Sequence, residues 1–153
     1  MRHLVEVYVD GAVKAGIPVW GCLFMRDGVP VDADGGLSPT RGSSKARIDF
    51  AEYHALINGL ERIRTRAWDQ DVVTFYTDNE IVYGQITESK KTSEELLPLY
   101  KKVLEIIDEI KTFRLVRISR NDNKVADRIT EGAFKAAALA KETKPDNELS
   151  QAG

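Results

Sequence analysis

The chain has 153 residues, 42% hydrophobic and 30% charged, with a net charge of −2, which suits one globular domain around a single core. One cysteine, Cys22, excludes an internal disulfide framework, and no apolar run approaches the length of a membrane-spanning helix. Glu6 and Asp10 interrupt the start where a secretory leader needs unbroken apolar residues, so a soluble cytoplasmic protein is expected, with no membrane and no obligate protein partner.

In chain order, residues 4–10 are rich in Val and Tyr and read as a strand ending near Asp10, followed by a loop over 11–16. A second strand covers 17–25. Asp27-Gly28 is a hairpin signal leading into a third strand from about Val29. Asp34-Gly35-Gly36 and the stretch 38–44 carry turn and loop chemistry. The period then changes: Glu52, Leu56, Leu60 and Ile63 share one stripe of a helix predicted over 50–67. A short apolar strand over 72–77 precedes a short helix over 79–86. Pro98 suits the first residue of the next helix, whose buried stripe is Tyr100, Val103, Ile107 and Ile110. A fifth strand is expected over 113–119 and an Ala-rich helix from Lys124 to about Lys141. The domain would then span 1–141, and 142–153, with Pro145, would be a flexible tail. Three strands in a meander, then alternating strands and helices, predict an α/β fold: a mixed sheet with helices on its faces.

Four carboxylates stand out. Glu52 begins an apolar stripe, and a lone carboxylate turned toward a core is costly unless paired or metal-bound. Its plainer reading is a wet residue in a helix's first turn, favoured by the dipole. Asp10 and Asp78 each close an apolar strand, though either could be a turn former, and Asp78 a cap for the helix from Asn79. Asp127 lies one turn into the last helix. Carboxylates at two strand ends and two helix starts, with no His or Cys at ligand spacing, suit hard divalent ions. Two such ions can activate water and stabilise a leaving oxygen in phosphodiester cleavage. A nucleic-acid partner is hinted at elsewhere. Lys111, Arg114, Arg117, Arg120, Lys124 and Arg128 outweigh Asp122 and Asp127, so 111–128 carries +4 and the remainder −6. The same stretch also reads as a solvated surface.

The segments Tyr8-Val9-Asp10-Gly11-Ala12, Ala51-Glu52-Tyr53-His54-Ala55-Leu56, Tyr76-Thr77-Asp78-Asn79-Glu80 and Arg120-Asn121-Asp122-Asn123-Lys124-Val125-Ala126-Asp127 resemble, in order and spacing, the type 1 ribonuclease H family in its short bacterial and archaeal form. The resemblance runs from about Leu4 to Ala137. It implies the ribonuclease H-like five-stranded mixed sheet, an antiparallel meander followed by parallel strands, with helices on both faces. It also implies endonucleolytic cleavage of the RNA strand of RNA–DNA hybrids, leaving 3′-hydroxyl and 5′-phosphate ends. By the same resemblance Asp10, Glu52, Asp78 and Asp127 would form the catalytic centre and hold two Mg²⁺ ions, or Mn²⁺. Gly11 would allow close backbone approach to substrate, Asn123 would orient the final loop, and Asn79, Glu80 and Arg120 would face the hybrid.

The chain departs from the family at substrate-facing positions. Ile48 and Asp49 stand where two asparagines are common, Glu80 where a glutamine is, and no histidine lies between Phe113 and Asp127, leaving Arg117 or Arg120 as candidates for that place. His54, two residues from Glu52, is expected to be structural. A 3′–5′ exonuclease usually has a second acid two residues after the first-strand Asp, a place taken here by Ala12. A binding module descended from a nuclease would usually have lost one of the acids.

Overall fold

The computed structural model describes residues 2–39 and 46–152, with side chains described to residue 140. Ten elements follow in order. They are β1 (Leu4–Lys14), β2 (Ile17–Arg26), β3 (Val29–Leu37), α1 (Ala46–Thr65), β4 (Val72–Thr77), α2 (Glu80–Thr87), α3 (Leu97–Asp108), β5 (Thr112–Arg117), a 3₁₀ turn (Arg120–Asn123) and α4 (Lys124–Ala152). The sheet has the order β3-β2-β1-β4-β5, with β1, β2 and β3 antiparallel and β4 and β5 parallel to β1. This is the mixed five-stranded sheet expected from the sequence.

Several boundaries differ, each for a physical reason. The loop expected over 11–16 is mostly strand: β1 continues to Lys14, and only Ala15 and Gly16 form the turn, with φ of 48° and 78°. Asp27 and Gly28 repeat that pattern at 51° and 79°, and two successive left-handed residues match the twist of a two-residue hairpin. Asp34, Gly35 and Gly36 also lie within a strand, β3, rather than in a turn. Arg62 of α1 ties down Asp32 and Asp34, and a Cβ on Gly35 would stand 3.0 Å from the Ile129 side chain of α4. The loop expected over 38–44 falls, from residue 40 on, outside the described residues. Helix α1 stops before the expected Ala67, which takes a φ of 56° while the Trp68 N–H donates to the Ile63 carbonyl at 2.9 Å. Pro98 lies in the first turn of α3, one residue later than expected, and Ile106 is buried beside Val103 and Ile110. Helix α4 runs to Ala152, past the expected end at Lys141. Glu142, Lys144, Glu148 and Gln151 are good helix formers.

Strand alternation divides the sheet into two faces. Val5, Val7 and Val9 of β1, Phe24 of β2 and Phe75 of β4 are fully buried beneath Leu56, Leu60 and Ile63 of α1, and α3 packs against α1 in the same core. Helix α4 covers the opposite face over β2, β3 and the end of β1, with its Ile129 and Thr130 close to Gly21. Helices therefore stand on both faces. Among the described residues no helix is long and apolar enough to cross a membrane.

The parallel pairing of β1 with β4 ends at Tyr8 and Tyr76, whereas β1 continues against β2. The sheet parts there. Asp10 and Asp78 each lie two residues beyond the last parallel pair. Asp10 is thus in mid-strand, opposite Gly21, and not at a strand end.

Candidate active site

Helix α1 crosses β1 at Gly11. A Cβ there would lie 2.2 Å from the Glu52 nitrogen and 2.3 Å from the Ala51 carbonyl carbon, so only glycine lets the helix come this close. The approach for which Gly11 makes room is that of α1. The contact places Glu52 against the strand with 1% of its surface exposed. Its carboxylate accepts the Gly11 N–H at 2.8 Å and the Thr77 hydroxyl at 2.6 Å. Burial pushes Glu52 well above its ordinary value and repulsion from Asp10 and Asp78 adds to this, against the two hydrogen bonds.

Asp10, 7% exposed, points to the α4 face, where the Thr130 hydroxyl donates to it at 3.2 Å. Burial raises its pKa to about 7, helped by the charges of Asp78 and Asp127 and opposed by Thr130 and Lys14. Asp78 is half-buried and accepts from the Asn123 amide at 3.0 Å. The same amide donates to the Val9 carbonyl at 2.8 Å, fastening the 3₁₀ turn to the sheet where β1 and β4 part. Asp78 does not cap α2. That role belongs to Asn79, whose side-chain oxygen accepts the Val82 N–H at 2.9 Å. Asp127, in the first turn of α4, is the most open of the four, its side chain 58% exposed.

All four carboxylates line one cleft of about 600 Å³, together with Gly11, Lys14, Ile48, Asp49, Asn79, Glu80 and Arg120. Asn123 lies beneath it, its side-chain oxygen buried without a hydrogen-bond partner among the described residues. The wall formed by the starts of α1 and α2 is largely satisfied within itself. The Asn79 amide donates to Asp49 at 3.2 Å, and Arg117 reaches Glu80 at 3.5 Å. Ile48 and Ile81 are half exposed there. His54 lies away from the cleft with its Nδ1 2.6 Å from the Ser38 hydroxyl, in the structural role expected. Of the six basic residues in 111–128, all exposed, only Arg117 joins an ion pair among the described residues.

The donors are all oxygens, the kind that hard divalent ions take. Asp10 and Glu52 ionise reluctantly, so a cation that let both carry charge would be held partly by the repulsion it relieves. Among the described residues no three acids stand at the spacing that encloses an ion. Each carboxylate is engaged instead by a donor of the protein: Glu52 by Gly11 and Thr77, Asp10 by Thr130, Asp78 by Asn123, Asp127 by Lys14. The residues fit divalent ions by chemistry, since each carboxylate keeps lone pairs beyond those these donors take.

Sequence reasoning missed three residues here. Thr77 precedes Asp78 in a strand, and alternation with Phe75 points it toward α1 and Glu52. Thr130 lies three residues after Asp127, close to it on the helix. Lys14 shares a strand face with Asp10, a relation hidden once the strand is taken to end at Asp10.

A reverse transcriptase-like family model matches residues 32–133. Ribonuclease H1 of the halophilic archaeon Halobacterium salinarum NRC-1 superposes with a TM-score of 0.74 at 24% identity, over 87% of this chain and 98% of that one. The N-terminal ribonuclease H domain of a Mycobacterium tuberculosis protein, solved as a fusion with maltose-binding protein, gives 0.75 at 21% identity, over 90% and 98%. LC11-RNase H1, isolated from compost by a metagenomic approach and solved in complex with an RNA/DNA hybrid, gives 0.76 at 22% identity, over 88% and 99%. No curated protein matches the sequence. With the family model covering residues 32–133 and the whole sheet shared with these structures, the chain belongs to the reverse transcriptase-like family and has the ribonuclease H fold.

Proposed function

We propose that this protein is a metal-dependent endonuclease that cleaves the RNA strand of RNA–DNA hybrids, leaving 3′-hydroxyl and 5′-phosphate ends. The observation that carries this reading is the convergence of Asp10, Glu52, Asp78 and Asp127 on one open cleft, on a fold shared with an enzyme solved on such a hybrid. Two divalent ions, Mg²⁺ or Mn²⁺, would supply an activated water and stabilise the leaving oxygen. The four carboxylates would hold them. Thr77 and the Gly11 N–H keep Glu52 oriented, Thr130 steadies Asp10, and Asn123 fixes Asp78 relative to β1. Holding these groups in place before substrate arrives lowers the reorganisation needed at reaction.

Arg120, on the cleft wall, and the exposed cations of 111–128 would bind phosphates, which gives affinity without base preference. Selection of the RNA strand would rest on 2′-hydroxyls and groove shape. Asn79 and Glu80 line the cleft where the hybrid would lie, and Asp49 holds Asn79 in place. One buried cysteine accords with action in the reducing cytoplasm. Incubation with labelled hybrid, duplex DNA, duplex RNA and single strands in Mg²⁺ or Mn²⁺ tests the reading: cleavage of the hybrid's RNA strand is expected. Binding without cleavage by folded protein in both metals would mark a binding module instead.

A further inference from the structure

Asp127 and Glu131 lie one helical turn apart on α4, and like charges at this spacing weaken a helix. Lys14 bridges them. It is the last residue of β1, two residues beyond Ala12 and four beyond Asp10 on the same strand face. The tight turn at Ala15 and Gly16 fixes where it leaves the sheet. Its side chain is 22% exposed, and its Nζ lies 2.7 Å from the Glu131 carboxylate and 3.5 Å from that of Asp127. Lys14 also lines the cleft, and Glu131 does not. The ammonium therefore touches the most open of the four acids from the side of the cleft, while its anchor stands outside it.

We propose that Lys14 is a built-in counter-cation for Asp127, which a divalent ion must displace to take that carboxylate, and that Glu131 retains Lys14 once displaced. The inference rests on the metal centre proposed above. Asp127 has no other cation or hydrogen-bond donor on its carboxylate among the described residues, so Lys14 sets its orientation in the metal-free protein. A lysine serves as such a placeholder because its ammonium is a compact point charge on a flexible stem. It can swing from a shared position to Glu131 alone without breaking its shorter contact.

Mn²⁺ binding at constant ionic strength tests this, followed by calorimetry and by the rise in Tm with added metal. Partly exposed ion pairs of this kind are worth up to about 1 kcal/mol, so Lys14→Met is expected to bind Mn²⁺ roughly two- to fivefold more tightly than wild type. It should also have a lower metal-free Tm, because Asp127 and Glu131 then repel unrelieved, and a larger rise in Tm with Mn²⁺. Lys14→Arg keeps the charge and should behave as wild type. In an Asp127→Asn background the effect of Lys14→Met on affinity should vanish. Equal or weaker Mn²⁺ binding by Lys14→Met, or a gain that persists without Asp127, overturns the inference alone. Failure of both wild type and Lys14→Met to take up Mn²⁺ overturns the metal centre and this inference with it.

Discussion

Replacing Asp10 by asparagine is expected to stabilise the metal-free protein, and the effect should depend on pH in a defined direction. Burial and the neighbouring acids raise the Asp10 carboxyl from an ordinary value of 3.8 to about 7 in the folded state. Between those values the folded protein holds a proton that the unfolded chain has released, so stability falls as pH rises through the window. The interval from 3.8 to about 7, at about 1.4 kcal/mol per pH unit, comes to about 4 kcal/mol. Asparagine has the same shape, carries no charge, and can accept the Thr130 hydroxyl through its amide oxygen. In urea denaturation with chelator present, Asp10→Asn should match wild type near pH 4. It should become more stable by up to about 4 kcal/mol at pH 8. Added Mg²⁺ should narrow the gap at pH 8 by stabilising wild type. A variant no more stable than wild type at pH 8, or a gap that does not change with pH, would refute the claim that the cluster holds Asp10 against its charge.

Three further substitutions test the supports of the cleft. Thr77→Val removes the hydroxyl that donates to the buried Glu52 carboxylate and should cost about 1–3 kcal/mol in thermal or urea unfolding. Gly11→Ala forces a Cβ into the backbone of α1 and should cost about 3 kcal/mol or more, with activity lost through displacement of Glu52, measurable by urea midpoint and hybrid cleavage. Asn79→Ala removes the cap of α2 and should lower stability by about 1 kcal/mol, read from the shift in Tm.

Of the four acids only Glu52 was legible from a local pattern alone; Asp10, Asp78 and Asp127 were picked out by their shared setting and by the family resemblance of the segments around them. Glu52 heads an apolar helical stripe, and the structure buries it with Leu56, Leu60 and Ile63 on that stripe. Strand β4 has the bounds its apolar run predicts, ended by the Asn79 cap. What local pattern could not show was how far β1 extends. Asp-Gly-Ala-Val-Lys reads as the end of a strand, yet pairing with β2 carries it on to Lys14. That one boundary conceals the common face of Asp10 and Lys14. Gly11, which the resemblance places against substrate, lines the cleft, and its missing side chain also makes room for α1. Asp34, Gly35 and Gly36 mislead for the same reason, since the bonds from Arg62 and the approach of Ile129 come from α1 and α4. The basic 111–128 stretch is exposed as its composition suggests.

The central claim is most directly tested on an RNA–DNA hybrid labelled on either strand, with wild type and Asp78→Asn compared in Mg²⁺ and Mn²⁺. Internal cuts in the RNA strand alone, with 5′-phosphate and 3′-hydroxyl ends, are expected from wild type, and none from the folded variant. An intact RNA strand under both metals, or equal cutting by Asp78→Asn, would contradict it.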